Sequence, residues 1–315
     1  MTVSGCGQAQ KNESASAVVR LGGLKGPTSI GMVKLLDDAD KQLTANTYEF
    51  TMAGSADELT PKLLKGELDI LAVPANLASV LYNNSDGAVQ VIAVNTLGVL
   101  DIVEKGGDTV NSIADLKGQT IYASGKGSTP EYTLDYLLEA NGLDAQSDVT
   151  IEWKSEPSEI VAQMAATEHA VAMLPQPFAT VAAKQFDDLQ LSLDLTEEWD
   201  SLQNDSRLVT AVLAVRTEFA EQNSGAVKTF LEEYRASTDY VNSNLAESAK
   251  LVEQYDIVKA AVAEQAIPYC NIVCITGEEM QSALDGYLHI LCEMNAKSVG
   301  GSVPDDAFYR IYEAK

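Results

Sequence analysis

An internal repeat limits this chain to a fold with two similar halves. Residues 71–80 (LAVPANLASV) align with residues 172–181 (AMLPQPFATV), so that an apolar run, a proline and a helix-like segment occur twice. A glycine loop repeats at the same offset of 101 residues, as KGPT at residues 25–28 and KGST at residues 126–129. Separate features at one offset predict two lobes of like topology, with equivalent loops on the same edge of each.

Short apolar runs alternate with amphipathic segments, which is typical of an α/β fold whose helices cover a mostly parallel sheet. Ser55 and Glu58 have the spacing of a helix capping box, and Glu159 repeats the position of Glu58 at the same offset. The clearest predicted strands are residues 18–21, 48–52, 69–73, 170–174 and 210–217, and the predicted C-terminal helices are residues 227–240, 245–255, 260–267 and 278–295.

The order of these segments predicts that the chain crosses between the lobes twice. Crossing strands near residues 95–103 and 210–216 would form a hinge, because few residues then need to change their dihedral angles for the lobes to close. The predicted divisions are a flexible tether at residues 1–17, the N-terminal part of lobe 1 at residues 18–98, lobe 2 at residues 99–209, and the C-terminal part of lobe 1 at residues 210–315.

The N-terminal residues indicate a lipid anchor. Residues 3–6 (VSGC) resemble the end of a lipoprotein signal peptide, in which the cysteine is lipidated and becomes the new N-terminus. The polar and small residues 7–17 suit a tether between a membrane and a folded domain. We therefore expect attachment through Cys6 on the extracellular face of a bacterial membrane. The alternative is a cysteine without a function in a flexible terminus.

Signals of catalysis, of metal binding and of nucleic-acid binding are weak. His169 and His289 adjoin no plausible nucleophile, and no hydrolase, zinc-protease or phosphate-loop motif occurs. Cys270 and Cys274 lack a second half-site for a metal, so we expect buried thiols or a disulfide that includes Cys292. The formal net charge of −25 opposes nucleic acid as a partner. We expect neither a cofactor nor a metal.

The predicted loops at the strand ends suit non-covalent recognition of a small molecule. In open α/β sheets, ligands bind beyond the carboxyl ends of the strands. Lys25 and Lys126 lie near helix starts and favour an anionic or strongly accepting ligand, unless both are solvated loop charges. Phe178 is suited to stacking on a planar ligand or to core packing. The candidate ligand-binding residues are Lys25, Gly26, Thr28, Ser29, Ser55, Pro74, Ala75, Asn76, Asn95, Thr96, Lys126, Gly127, Ser128, Thr129, Glu156, Gln176 and Phe178.

Three segments carry a family resemblance. Residues 111–118 (NSIADLKG), 64–70 (LKGELDI) and 156–178 resemble the type II binding proteins of ABC importers, in the nitrate/sulfonate/taurine branch that also includes thiamine-precursor binders. The resemblance covers roughly residues 18–312. It implies a two-lobed α/β fold of the periplasmic-binding-protein type II. It also implies a monomeric solute-binding protein that delivers a small organic, anionic or heteroaromatic ligand to permease and ATPase subunits.

Two observations qualify this resemblance. The predicted cleft loops contain no arginine, and only Arg207 near the predicted hinge is placed to reach in, which argues against a sulfonate or nitrate ligand. Enzymes of the same fold, of the pyrimidine-synthase or chorismate-dehydratase type, are the main alternative. The pyrimidine-synthase type relies on a cysteine-rich motif and a nearby histidine, which this sequence lacks. An extracellular sensor lobe is the third interpretation.

Overall fold

The computed structural model describes residues 17–204 and 206–312, and these contain two β-sheets flanked by helices. The strands are β1 (Val18–Leu24), β2 (Thr47–Ala53), β3 (Ile70–Pro74), β4 (Val89–Leu97), β5 (Leu100–Lys105), β6 (Thr120–Ser124), β7 (Thr150–Lys154), β8 (Ala170–Pro175), β9 (Leu189–Asp194), β10 (Val209–Arg216) and β11 (Ile272–Ile275).

The α-helices follow the strands in both halves and dominate the C-terminal part. They are α1 (Pro27–Ile30), α2 (Val33–Asp40), α3 (Thr60–Leu64), α4 (Ala75–Asn84), α5 (Thr129–Ala140), α6 (Pro157–Ala165), α7 (Phe178–Gln185), α8 (Leu195–Ser201), α9 (Thr217–Gln222), α10 (Ser224–Ser243), α11 (Leu245–Gln254), α12 (Ala260–Ala266) and α13 (Gly277–Met294). The four predicted C-terminal helices correspond to α10–α13. None of the helices in the described ranges has the length and apolar composition needed to cross a bilayer.

The two sheets have the same internal order. The first lobe has the order β11-β4-β10-β3-β1-β2, and the second lobe has β7-β6-β8-β5-β9. The positions of β2, β1, β3, β10 and β4 in the first lobe therefore match those of β7, β6, β8, β5 and β9 in the second. This equivalence confirms the two-lobed α/β fold predicted from the repeat.

Both sheets are mixed because the chain passes between them. Strand β4 leaves the first lobe at its carboxyl end, so β10 must re-enter at that end and runs antiparallel to β3 and β4. Strand β5 enters the second lobe in the same way and runs antiparallel to β8 and β9. The strands in the βα units, β1 to β3 and β6 to β8, pair in parallel as the alternating pattern predicts.

The chain crosses between the lobes at two adjacent places. The first crossing is the short link between β4 and β5, inside the predicted residues 95–103. The second runs from the end of β9 through α8 to the start of β10. Residues 210–216, predicted as the second crossing, instead lie within β10 of the first sheet. Strand β9 was not predicted because it lacks a continuous apolar run: three of its six residues are exposed, and only Leu193 is buried.

The strand cores explain why this arrangement is stable. In β3, every residue except Pro74 is buried. In β10, every residue except Thr210 and Arg216 is buried. Each fully buried Val, Leu or Ile contributes about 1.5 to 3 kcal/mol. One hydrophobic cluster continues from the first lobe to the second, where Trp199 of α8 packs between Tyr136 and Tyr287 with ring centroids 4.7 and 5.5 Å apart.

Two local predictions had different outcomes. Ser55 donates to Glu58 Oε1 at 3.4 Å and accepts no helix amide, so the predicted capping box does not form. A 3₁₀ turn intervenes there, and α3 begins only at Thr60. Glu159 Oε2 accepts the amide of Ser155 at 3.0 Å, but Ser155 precedes the N-cap residue Glu156, so this bond caps no amide of α6 either. Within the described part of the chain, Cys270, Cys274 and Cys292 are free thiols.

Candidate functional site

The carboxyl ends of the parallel strands in the two lobes face each other across a narrow cleft. The loops after β2 and β7 touch there, since a Cβ atom on Gly54 would collide with the carboxylate of Glu156. Near the first crossing, the backbone amide of Gln176 donates to the carbonyl oxygen of Val99 at 2.8 Å. Ser55 and Glu156 are both partly exposed at this point. The structure thus places candidate residues from both lobes at one cleft.

Asn76 contacts both lobes. It lies in the first turn of α4 and is completely buried. Its Nδ2 donates to Ser298 O at 3.0 Å in the first lobe and lies 3.4 Å from Gly127 O in the second. The Thr129 hydroxyl lies 3.4 Å from Asn76 Oδ1. The side chain therefore joins the start of α4 to the start of α5.

The glycine loop before α5 requires its two glycines. Gly125 and Gly127 have φ angles of 85° and 76°, in the left-handed region that side chains rarely adopt. The Ser128 hydroxyl donates to Gly125 O at 2.7 Å, so it caps no helix amide. Lys126 is exposed between the glycines. Glu131, in the first turn of α5, accepts the amide of Gly127 at 2.5 Å, so a carboxylate already lies at this end of the helix.

The equivalent loop after β1 uses its polar groups internally. The hydroxyls of Thr28 and Ser29 both donate to Leu24 O, at 3.3 and 2.7 Å, and both residues are buried. Lys25 Nζ pairs with Asp256 at 3.2 Å, where Asp256 is almost fully exposed. Such an exposed pair contributes about 0 to 1 kcal/mol. Gly26 is buried at the start of α1.

Two buried polar residues brace the strand ends of the first lobe. Asn95 Nδ2 donates to Thr28 O at 3.0 Å, and Thr96 Oγ1 donates to Asn95 Oδ1 at 3.3 Å. Pro74 and Ala75 form the turn from β3 into α4. These contacts hold the cleft wall in place, and contact of these residues with a ligand stays a prediction.

Gln176 and Phe178 form the corresponding wall of the second lobe. Gln176 Nε2 donates to Asp101 Oδ2 at 2.9 Å, and its Oε1 accepts from Thr180 at 2.8 Å. Phe178 is buried in the core with Ile160 and other apolar side chains, so its ring serves packing in this structure. Ligand contacts of Gln176 and Phe178 also stay predictions.

Sequence reasoning missed an acidic group at the crossings. Asp101 is the second residue of β5, and burial together with the nearby charge of Asp194 raises its pKa to about 7, against the effect of the Gln176 hydrogen bond. A carboxylate inside the apolar run LDIV was the available signal. Arg207, the one arginine expected to reach the cleft, is exposed and pairs with Glu279 at 3.1 Å.

A separate cavity lies at the opposite edge of the first sheet. Its volume is about 360 Å³, and it surrounds Arg216 at the end of β10. Arg216 and Arg20 both bind the buried carboxylate of Asp69, Arg20 through two nitrogens at 2.8 and 2.6 Å. No candidate residue from the sequence lies there. Among the described residues, no His, Cys, Asp and Glu side chains are grouped so that they could hold a metal ion.

Comparison with known proteins gives a family match and a shared fold. The model of the NMT1-like family matches residues 37–254. No curated protein sequence matches the chain. An ABC transporter structure from Parabacteroides distasonis superposes with a TM-score of 0.77 at 22% identity, over 94% of this chain and 99% of that chain.

Two further solved structures share the fold at lower identity. The periplasmic aliphatic sulphonate binding protein SsuA from Escherichia coli has a TM-score of 0.73 at 17% identity, over 93% of this chain and 96% of its own. The periplasmic nitrate-binding protein NrtA from Synechocystis PCC 6803 has a TM-score of 0.60 at 14% identity, over 84% and 75%. At these identities the similarity establishes the two-lobed fold.

Proposed function

Because the chain belongs to the NMT1-like family, we propose that it is the extracellular solute-binding component of an ABC importer. It captures a small organic molecule between its lobes and delivers it to a membrane permease with its ATPase. The observation that carries this proposal is the cleft itself, in which loops from the carboxyl ends of both sheets meet and Asn76 joins them. The shared fold with binding proteins of ABC transporters supports it.

The proposed mechanism is closure of the lobes around the ligand without chemical change. The two adjacent crossings act as the hinge, and we keep residues 18–98 with 210–315, and 99–209, as the proposed division into lobes. A ligand drives closure only by as much as it binds the closed form better than the open form. The permease then recognises the pair of lobes in the closed arrangement.

The proposed ligand is heteroaromatic or weakly anionic. The ammonium of Lys25 is already paired with Asp256, which leaves exposed Lys126 as the free cation of the two glycine loops. The first turn of α5 adds amide donors and a partial positive charge. Without an arginine in these loops, a sulfonate or nitrate would meet few charged partners.

The proposed location is the outer face of the bacterial cytoplasmic membrane. Cys6, the predicted site of lipid attachment, lies outside the residues that the structure describes. The polar residues 7–17 that precede β1 are long enough to serve as the tether. We propose that the protein acts as a monomer, with one ligand between its lobes.

Native mass spectrometry of the purified protein after incubation with bacterial metabolite pools tests the function. We expect one unaltered small molecule bound per chain, and no change in the composition of the pool. Turnover of a pool component would identify an enzyme of this fold and overturn the proposal.

The lipid anchor is tested independently. Metabolic labelling with a palmitate analogue should mark the protein in bacteria, and Cys6→Ser should abolish the label.

A further inference from the structure

Two carboxyl groups face each other where the chain crosses between the lobes. Asp101 of β5 and Asp194 of β9 are direct partners in the antiparallel register of these strands. Asp101 is the second residue of β5, which begins where the first crossing ends. Asp194 is the last residue of β9, where the second crossing begins. Like charges directly opposite on neighbouring strands repel each other. An ionised pair therefore weakens the pairing of β5 with β9 at the end of the second sheet that adjoins both crossings.

The surroundings of the pair decide which carboxyl group holds a proton. Asp194 is exposed, and its Oδ1 accepts the backbone amides of Thr196 at 2.7 Å and Glu197 at 3.4 Å at the start of α8. Asp101 is mostly buried and receives one neutral hydrogen bond, from Gln176 at 2.9 Å. No cation pairs with Asp101 among the described residues. Asp101 is therefore the member of the pair that takes up a proton.

Asp101 also connects the pair to the other lobe. The buried thiol of Cys270, which follows α12 in the first lobe, lies close enough that the charge of Asp101 adds to burial in raising the pKa of that thiol. Neighbouring Asn271 donates through Nδ2 to Gly98 O at 2.5 Å, in the first crossing. Opening of the lobes would withdraw this face of the first lobe from Asp101 and admit water. Closure thus changes the solvation of the Asp101 carboxyl group.

We propose that Asp101 and Asp194 make the hinge proton-dependent, so that the pair holds one proton in the closed form and loss of this proton favours opening. The inference rests on the proposed function only in that the lobes open and close around a ligand. In this way external pH regulates the opening and closing of the same cleft.

The direction of the effect follows from linkage. The pKa of Asp101 is raised to about 7 in this structure, first by burial and then by the charge of Asp194. Water that reaches the group on opening removes the effect of burial and lowers the pKa toward its ordinary value of 3.8, while Asp194 on the same sheet keeps part of the shift. Between these two values the closed form binds a proton that the open form lacks. The equilibrium constant for closure therefore falls as pH rises, by up to about tenfold per pH unit, and is constant above about pH 7.

The experiment uses the ligand-free full chain. Carbon-13 NMR of protein labelled at the aspartate carboxyl carbon follows the titration, and small-angle X-ray scattering gives the radius of gyration from pH 5 to 8.5. We expect one carboxyl resonance to titrate near pH 7 and to be absent in Asp101→Asn. The radius of gyration of the wild type should rise between pH 5 and about pH 7 and then stay level, whereas that of Asp101→Asn should stay constant throughout. Asp194→Asn, which keeps a good helix cap, should lower the pKa of Asp101.

The control is Asp187→Asn, which removes an exposed carboxyl group of the same lobe and should leave both titrations unchanged. A resonance of Asp101 that titrates near pH 4 overturns the inference. A titration near pH 7 without a change in the radius of gyration overturns it too. Neither measurement needs a ligand, so failure of solute binding in native mass spectrometry would be a separate result.

Discussion

The side-chain nitrogen of Asn76 lies 3.4 Å from the carbonyl oxygen of Gly127, across the cleft between the two lobes. These two residues belong to different parts of the repeat: Asn76 follows the proline turn of the first lobe, and Gly127 belongs to the glycine loop of the second. The same nitrogen donates to Ser298 O, on the C-terminal segment of the first lobe. One amide thus connects three distant parts of the chain.

Replacement of Asn76 by alanine should weaken both stability and ligand binding. The variant leaves the buried Ser298 carbonyl without its donor, which costs about 1 to 3 kcal/mol of unfolding free energy. It also removes the contacts of the Asn76 side chain with Gly127 and Thr129 across the cleft. Urea denaturation checks the first effect. Titration calorimetry with the ligand found by native mass spectrometry checks the second.

Asn83→Ala is the matched control for this variant. Asn83 Nδ2 donates to Val299 O and Ser302 O, both at 2.8 Å, on the same C-terminal segment, but it contacts only the first lobe. We expect a loss of stability with little change in affinity. Equal losses of affinity in the two variants would show that Asn76 has no special role in closure.

Gly98→Ala should destabilise the protein by separating the two crossings. A Cβ atom at Gly98 would collide with the Thr196 hydroxyl and lie 3.0 Å from both Thr196 Cβ and Leu208 Cδ2. Overpacking of this kind costs about 1 to 3 kcal/mol. Gly225→Ala should instead raise the unfolding free energy. Nothing lies within 4 Å of a Cβ atom there, and alanine stabilises the α10 helix by about 0.5 to 1 kcal/mol. Thermal unfolding of both variants tests this, and equal melting temperatures would contradict it.

Most of the fold was predictable because the repeat indicates the same topology for both halves of the chain. Pro74 and Pro175 end β3 and β8 as predicted, and the order of strands around them is the same in both sheets. The second crossing was not predictable, because β9 carries no continuous apolar run and α8 has acidic residues throughout. The only signal of β9 is the alternation of Leu189, Leu191 and Leu193 with polar residues, which is too short to stand out beside the buried strands.

The candidate site was predictable as a set of loops, but the roles of single residues were not. Glycine and proline marked the strand ends correctly, since backbone geometry depends on local sequence. Whether a hydroxyl such as Ser29 faces a ligand or its own strand end depends on tertiary packing, and here it bonds Leu24 O. Asp101 was missed because its importance comes from Asp194, which is distant in sequence.

Glu104→Gln should remove a pH-dependent part of the stability of the second lobe. Glu104 is buried and accepts hydrogen bonds from Thr109, Val110 and His169 at the end of β5. Burial alone would raise its pKa, but these bonds lower it to about 2 from an ordinary 4.5. The folded form therefore holds fewer protons than the unfolded form between these values. The stabilisation is complete above about pH 4.5 and is lost as pH falls toward 2.

We expect the variant to lose about 1 to 3 kcal/mol at pH 7, since an amide cannot accept all of these bonds. The difference from the wild type should shrink below pH 4.5 in urea titrations at pH 7, 5, 4 and 3. Glu293→Gln, at an exposed position, provides the control and should follow the wild-type curve. A difference that stays constant down to pH 3 would mean that the Glu104 pKa is not lowered.

Lys126→Ala should weaken the binding of an anionic ligand more than Lys25→Ala does. Lys126 is exposed beside the first turn of α5, whereas the ammonium of Lys25 is already paired with Asp256 at 3.2 Å. Loss of one charge near a partly desolvated anion should reduce affinity by about tenfold, whereas both variants should change the unfolding free energy by less than about 0.5 kcal/mol. Asp256→Asn frees the Lys25 ammonium and should raise the affinity for an anion. Titration calorimetry at two salt concentrations measures these effects, and equal affinity in all three variants would show that the ligand is neutral at this end of the cleft.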